Sequence, residues 1–116
     1  MLSKIDIEQA RKRIIGYLNE TPLLTSSTLN KMCGANLYFK CENFQKSGSF
    51  KYRGVANALL SLNEEERQKG VITHSSGNHG AALAAFSKKL GLHLSLIHIS
   101  EPTRRYAISY AVFCLK

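Results

Sequence analysis

Lys51 stands in the run Ser47-Gly48-Ser49-Phe50-Lys51-Tyr52-Arg53-Gly54, and a second run, Ser75-Ser76-Gly77-Asn78-His79-Gly80, follows a short apolar stretch further along. A primary amine attacks a carbonyl only when unprotonated, and partial desolvation favours that form. Phe50 and Tyr52 on either side predict such surroundings for Lys51, and Arg53 adds a second cation that pushes in the same direction. The second run offers backbone N–H groups at the start of a helix, where hydrogen bonds and the helix dipole both favour a carboxylate or phosphate. Ser75, Asn78 and His79 can add side-chain donors, and Ser76 can move a proton if its hydroxyl lies beside a substrate α-carbon. Alone, the first run reads as a surface lysine at a helix start and the second as a capped helix with a tight glycine turn. Together they describe covalent capture of an aldehyde beside a gripped anion.

The flanking residues predict the elements that would position both runs. Ser3 with Asp6 begins a helix whose apolar positions are Ile7, Ala10, Ile14 and Leu18, and Thr21-Pro22 stops it. Ser27 or Thr28 caps a short helical turn ended by Gly34, and residues 36–42 read as a strand rich in aromatic and apolar residues. A helix is predicted over 50–62 with Val55, Ala58, Leu59 and Leu62 on its apolar stripe. Residues 63–70 form a charged connector or surface helix, and 71–74 form a short strand that exits into the second run. A helix over 80–90 then buries Leu83, Phe86 and Leu90 before Gly91. A strand, a polar glycine-containing loop and a helix in that order is how open α/β sheets build ligand sites.

Composition narrows the function classes. At 116 residues the chain fits one modest domain or a piece of a larger one, and its 44% hydrophobic and 21% charged residues are ordinary for a globular protein. No apolar run is long enough to span a bilayer and the first residues lack a signal-peptide core, so a cytoplasmic address and no membrane partner are expected. The net charge of +8 raises the question of nucleic acid, but the basic residues are scattered and the Arg11-Lys12-Arg13 cluster reads as a solvated face. A small anionic ligand suits that charge better than a nucleic-acid partner. Cys33, Cys41 and Cys114 are odd in number and widely spaced, which argues against both a disulfide framework and a zinc site; Cys41 is expected to point towards a core. His74 and His79 are not spaced as a metal pair on one helix face, so no metal ligand is assigned.

Residues 49–54 taken with residues 73–80 resemble the fold-type II pyridoxal-phosphate enzymes, and within them the serine racemase and threonine (serine) dehydratase group. Thr21-Pro22-Leu23 before Ser26-Ser27, and the run from Phe39 through Lys40-Cys41-Glu42-Asn43-Phe44-Gln45-Lys46 to Gly48, follow the same pattern. The likeness covers the chain from about Ile5 to Leu92. It implies an α/β fold like the tryptophan synthase beta subunit, a parallel sheet flanked by helices, here incomplete. It also implies pyridoxal 5′-phosphate held as a Schiff base on Lys51, which takes the α-proton, with Ser76 as the second acid/base on the opposite face. Asn78 would bond the pyridoxal 3′-oxygen, Phe50 would pack by the ring, and Ser75, Ser76, Asn78 and His79 would hold the substrate. The implied substrate is serine or threonine, and the implied outcomes are loss of the β-hydroxyl with ammonia, or racemisation.

In the racemase branch, residues matching Ser26, Ser27, Lys46 and Ser47 lie near an activating nucleotide site between subunits. Ser47 is a threonine in some relatives and Tyr52 replaces a typically aliphatic residue, so the choice between branches stays open. For the complete protein the resemblance allows ATP, a divalent cation (Mg or Ca) and a homodimer. The cation's ligands, the glycine-rich phosphate loop and the partner of the pyridine nitrogen are expected beyond this chain's end.

The expected organisation is residues 1–62 as part of a large cofactor-binding domain, 63–70 as connector, 71–94 as the start of a small domain, and 95–116 as a tail outside the family. The run from Ser95 to Arg105 resembles the conceptual translation of a sequencing-library adapter; a true ending with an apolar strand over 107–115 is the alternative. No function is therefore assigned to His98, Arg104, Arg105 or Cys114. The competing functional reading is an inactive truncated form that pairs with a full-length subunit.

Overall fold

The computed structural model describes residues 1–75 and 77–97. The expectations for Ser76, for the body of the tail and for a strand over 107–115 lie outside those residues.

Helix α1 (Lys4–Ile14) starts at the predicted capping box: the Ser3 hydroxyl accepts from the Asp6 N–H, and the Asp6 carboxylate accepts from the Ser3 N–H. It ends earlier than predicted, passing at Ile14 into a 3-10 turn over Ile15–Tyr17. Only its last turn reaches the core. Ile14 is buried and Ala10 half-buried, whereas Ile7 is exposed, since among the described residues nothing packs over the first turns. Arg13 is not merely solvated, since its guanidinium donates to the Asn57 side chain on a neighbouring helix.

Strand β1 (Leu23–Leu24) pairs antiparallel with β2 (Phe39–Lys40), Leu23 opposite Lys40 and Leu24 opposite Phe39. The strand predicted over 36–42 is thus cut to two residues, because a 3-10 turn begins at Glu42 and the partner strand is equally short. Between them α2 (Ser27–Cys33) is capped by the Ser26 hydroxyl, not by Ser27 or Thr28, and closes on the left-handed Gly34.

Helix α3 (Lys51–Leu60) carries a buried face of Tyr52, Val55, Ala56 and Leu59. This corrects the predicted stripe: Ala58 is exposed and Leu62 lies beyond the helix, so the face is turned towards Tyr52 and Ala56. The predicted connector is α4 (Glu64–Lys69), held at its start by a reciprocal cap between Asn63 and Glu66.

Strand β3 (Val71–Thr73), helix α5 (Asn78–Leu90) and β4 (Leu94–Leu96) form a strand–helix–strand unit in which the two strands run parallel, Val71 opposite Leu94 and Thr73 opposite Leu96. From the sequence the family pattern is expected to end at Leu92–Leu94, with no strand there. The alternation of Leu92, Leu94 and Leu96 was the available signal.

The core joins α1, α3 and α5 across the connector: Ile14, Tyr52, Val55, Ala56, Leu59, Ala82, Leu83 and Phe86 form one buried cluster. Phe86 is fully buried at its centre and meets Tyr17 and Tyr52 edge-on, at 5.5 and 5.3 Å between ring centroids. Leu90, expected inside, is only half-buried at its border.

Candidate active site

The core fixes how α3 is turned, and thereby where Lys51 points. Tyr52 enters the core, and burial pushes its phenol pKa up. Tyr52 therefore does not flank the Lys51 amine as the sequence predicts; among the described residues the ring beside Lys51 Nζ is Phe50, at 5.0 Å to its centroid. Lys51 itself is exposed.

Arg53 also departs from its predicted role. Its guanidinium grips Glu42 through two bonds, Nε to Oε2 at 2.8 Å and NH2 to Oε1 at 2.7 Å. The cation expected to act on Lys51 is thus neutralised by a carboxylate on the far side of the helix. Glu42 is held in turn, mainly by that guanidinium, which lowers its carboxyl from an ordinary 4.5 to about 2 against an opposing cost of burial. The Thr21 hydroxyl donates to the same carboxylate at 2.6 Å, and Lys40 Nζ donates to the Thr21 carbonyl, also at 2.6 Å. Nothing in the local sequence pattern links Glu42 to Arg53, because neither helical nor strand periodicity relates them.

Just before α3 the chain turns sharply. Ser47 and Gly48 both have left-handed backbones, with φ of 65° and 73°. For serine that conformation costs about 1 kcal/mol or more and persists only where its surroundings enforce it. Lys46 anchors this turn by donating from Nζ to the Tyr17 carbonyl at 2.6 Å.

The second run behaves as a helix start. The Ser75 hydroxyl accepts from the Gly80 N–H at 3.1 Å and the Gly77 N–H at 3.4 Å, doing the work of a cap from two residues before the cap position, Gly77. The N–H groups of Asn78 and His79 find no acceptor among the described residues. Gly80 is required for close approach: a Cβ there would stand 2.5 Å from the Ser75 carbonyl oxygen.

Both runs meet at one cavity of about 510 Å³ between α3, β3 and α5. Phe50, Lys51 and Gly54 bring the first run to it, and Thr73 and His79 bring the second. Val55, Leu59, Leu62, Val71 and Leu83 make an apolar wall. Ser75 is half-buried and Asn78 exposed, and neither lines the cavity itself. The lining residues Gly54, Thr73, Val71 and Leu83 were not assigned to a site from sequence; only the packing of three elements brings them together.

This arrangement fits a flat aromatic aldehyde with an acidic substituent. The size is that of small-ligand pockets, about 300–1,000 Å³. An amine stands at its edge, an apolar wall faces a ring, and a helix start offers N–H groups. The Ser47 and Ser49 hydroxyls close by in sequence are buried with no partner among the described residues, a state that bound groups or ordered water usually relieve. Among the described residues no group of three His, Cys, Asp or Glu side chains could hold a metal ion, and no helix is long and apolar enough to cross a membrane. Cys33 and Cys41 are free thiols; Cys41 is half-buried, its Sγ directed at the Phe39 carbonyl.

The model of a family described as pyridoxal-phosphate dependent enzyme matches residues 14–108, running past Leu94, where the likeness was expected to end. Serine racemase from Dictyostelium discoideum is 63% identical over 83 residues, which cover 72% of this chain and 26% of that protein. L-threo-3-hydroxyaspartate ammonia-lyase from Saccharomyces cerevisiae is 49% identical over 92 residues, covering 79% of this chain and 28% of that protein. The crystal structure of the Dictyostelium discoideum serine racemase superposes with a TM-score of 0.85 at 48% identity, covering 95% of this chain and 36% of that one. The chain therefore spans about a quarter of the length of these curated relatives.

Proposed function

The chain belongs to the family of pyridoxal-phosphate dependent enzymes, and we propose that it is the N-terminal part of a serine racemase or L-serine/L-threonine dehydratase in which Lys51 carries the cofactor. The observation that supports this most is the shared cavity: Lys51 of the first run and His79 of the second line the same space although 28 positions apart in a chain with no local reason to join them.

When bound, pyridoxal phosphate supplies an electron sink for charge left on the substrate α-carbon. The chain's own residues do the rest. Lys51 Nζ would hold the cofactor aldehyde and would accept the substrate α-proton. Ser76 serves as the acid/base of the opposite face, where returning a proton inverts the substrate. The Asn78 amide, at the first position of α5, would donate to the pyridoxal 3′-oxygen. Ser75 and His79, with the N–H groups at the start of α5, hold the substrate carboxylate. Phe50 and the apolar wall exclude water around the ring. For the complete protein the same reading allows a divalent cation with ligands beyond this chain, ATP near Ser26, Ser27, Lys46 and Ser47, and a second subunit.

Lys51→Ala in the complete protein is the test. Wild type should give a borohydride-stable pyridoxal adduct on the peptide containing residue 51, and should convert L-serine to its enantiomer or to ammonia and a keto acid. The variant should lose the adduct and both reactions. Normal turnover by Lys51→Ala would sink the assignment.

A further inference from the structure

We propose that Glu42, acting through Arg53, is a positioning residue for Lys51. Helix α3 begins without a side-chain cap: Phe50 stands at the cap position and makes no such bond. Its first turn must therefore be held by other means, and two are present. Tyr52 is locked into the core against Phe86. Arg53 is clamped by both oxygens of Glu42, while its NH2 also reaches the Thr21 hydroxyl at 3.3 Å.

At 3.6 residues per turn, Lys51 and Arg53 project about 200° apart around the helix. The clamp thus holds the first turn from the side away from the amine, and a loosened clamp lets that turn rock towards or away from the cavity. What Arg53 grips is itself braced. Glu42 opens a 3-10 turn whose carboxylate also accepts from Thr21, a residue only 3% exposed. The Gln45 side chain ties the same segment to Asn19, accepting from its N–H and donating to its carbonyl, each at 2.9 Å. Lys40 and Lys46 add bonds to the Thr21 and Tyr17 carbonyls. Residues 17–21 and 40–46 are thereby one hydrogen-bonded block, with Arg53 as its link to α3. Displacing a reacting group by about 1 Å can slow a reaction about a hundredfold, so a brace at the turn carrying the amine bears on rate as well as on folding.

The proposal rests on Lys51 as the attachment site. Its test compares the complete wild-type protein with Glu42→Gln and with the double variant Glu42→Leu/Arg53→Met, which strands no charge. Deuterium uptake is followed over residues 49–55 and, as control, over 82–90. The rate at which added pyridoxal phosphate becomes fixed to Lys51 is read by borohydride trapping and mass spectrometry, per folded molecule. In both variants uptake over 49–55 should rise about tenfold with the control unchanged, and attachment should slow by about tenfold or more. The double variant should regain much of the thermal stability lost by Glu42→Gln and still attach slowly. If attachment recovers along with stability, or if uptake over 49–55 does not change, the proposal is overturned and the network is only a structural brace. Failure of the underlying reading shows separately, as a wild-type protein that fixes no pyridoxal phosphate at Lys51; that result also leaves the network as a brace.

Discussion

Folding alters the chemistry of Glu42, its carboxyl held at about 2 by the Arg53 guanidinium and, to a smaller extent, the Thr21 hydroxyl. A carboxyl whose folded pKa lies below its ordinary 4.5 stabilises the fold fully above that value, and the contribution is lost as pH falls towards 2. Urea unfolding of wild type and Glu42→Gln should therefore differ most near neutrality, with the gap closing through that acid window. Asp6, also lowered by its capping bonds to Ser3, titrates alike in both proteins and drops out of the difference. A gap independent of pH would mean that the ion pair does not hold Glu42. At this scale the sequence misplaces the neighbours of Lys51. Phe50 and Tyr52 are adjacent to it in the chain, but successive residues on a helix diverge by about 100°, so of these two rings Phe50 alone stays beside the amine.

Helix α5 depends on the short loop before it. Ser75 supplies the acceptor for its first N–H groups, and Gly80 allows the loop backbone to come within contact of the helix. Ser75→Ala should cost about 1 kcal/mol, the usual loss of a cap. Gly80→Ala should cost more, because its Cβ would stand 2.5 Å from the Ser75 carbonyl and push aside the loop that carries the second run. Chemical denaturation of both variants checks the order, and a neutral Gly80→Ala would show that the loop yields freely. Helices were the more legible elements. Ser3 with Asp6, Gly34 and Gly91 mark ends through local hydrogen bonds and backbone preference, and the structure uses all of them. Strands were less so: β2 is two residues long and β4 went unassigned, because a strand's extent is set by its partner across the sheet.

On the scale of the whole molecule, one core bridges the segments before and after α4, with Phe86 at its centre. Phe86→Ala should destabilise the fold by about 3–5 kcal/mol, leaving Tyr17 and Tyr52 facing a void. Because that core also sets the rotation of α3 and the seat of α5, the same variant should loosen the cavity. Slower exchange or unchanged stability would contradict a shared core. Outside it, Leu23, Leu24, Tyr38, Phe39 and Ile72 are exposed on or beside the two short sheets. The sequence alone determined the α/β class, the family and the two runs that mark it, because those depend on residue type at fixed local spacing. Only the tertiary structure decided that α3 turns Tyr52 and Ala56 inward instead of Ala58, and that Arg53 spends its charge on Glu42. It also decided that Lys51 and His79 share a cavity walled by three elements. Each of those follows from side chains distant in sequence competing for one interior and for one another's hydrogen bonds, and no local pattern records the outcome of that competition.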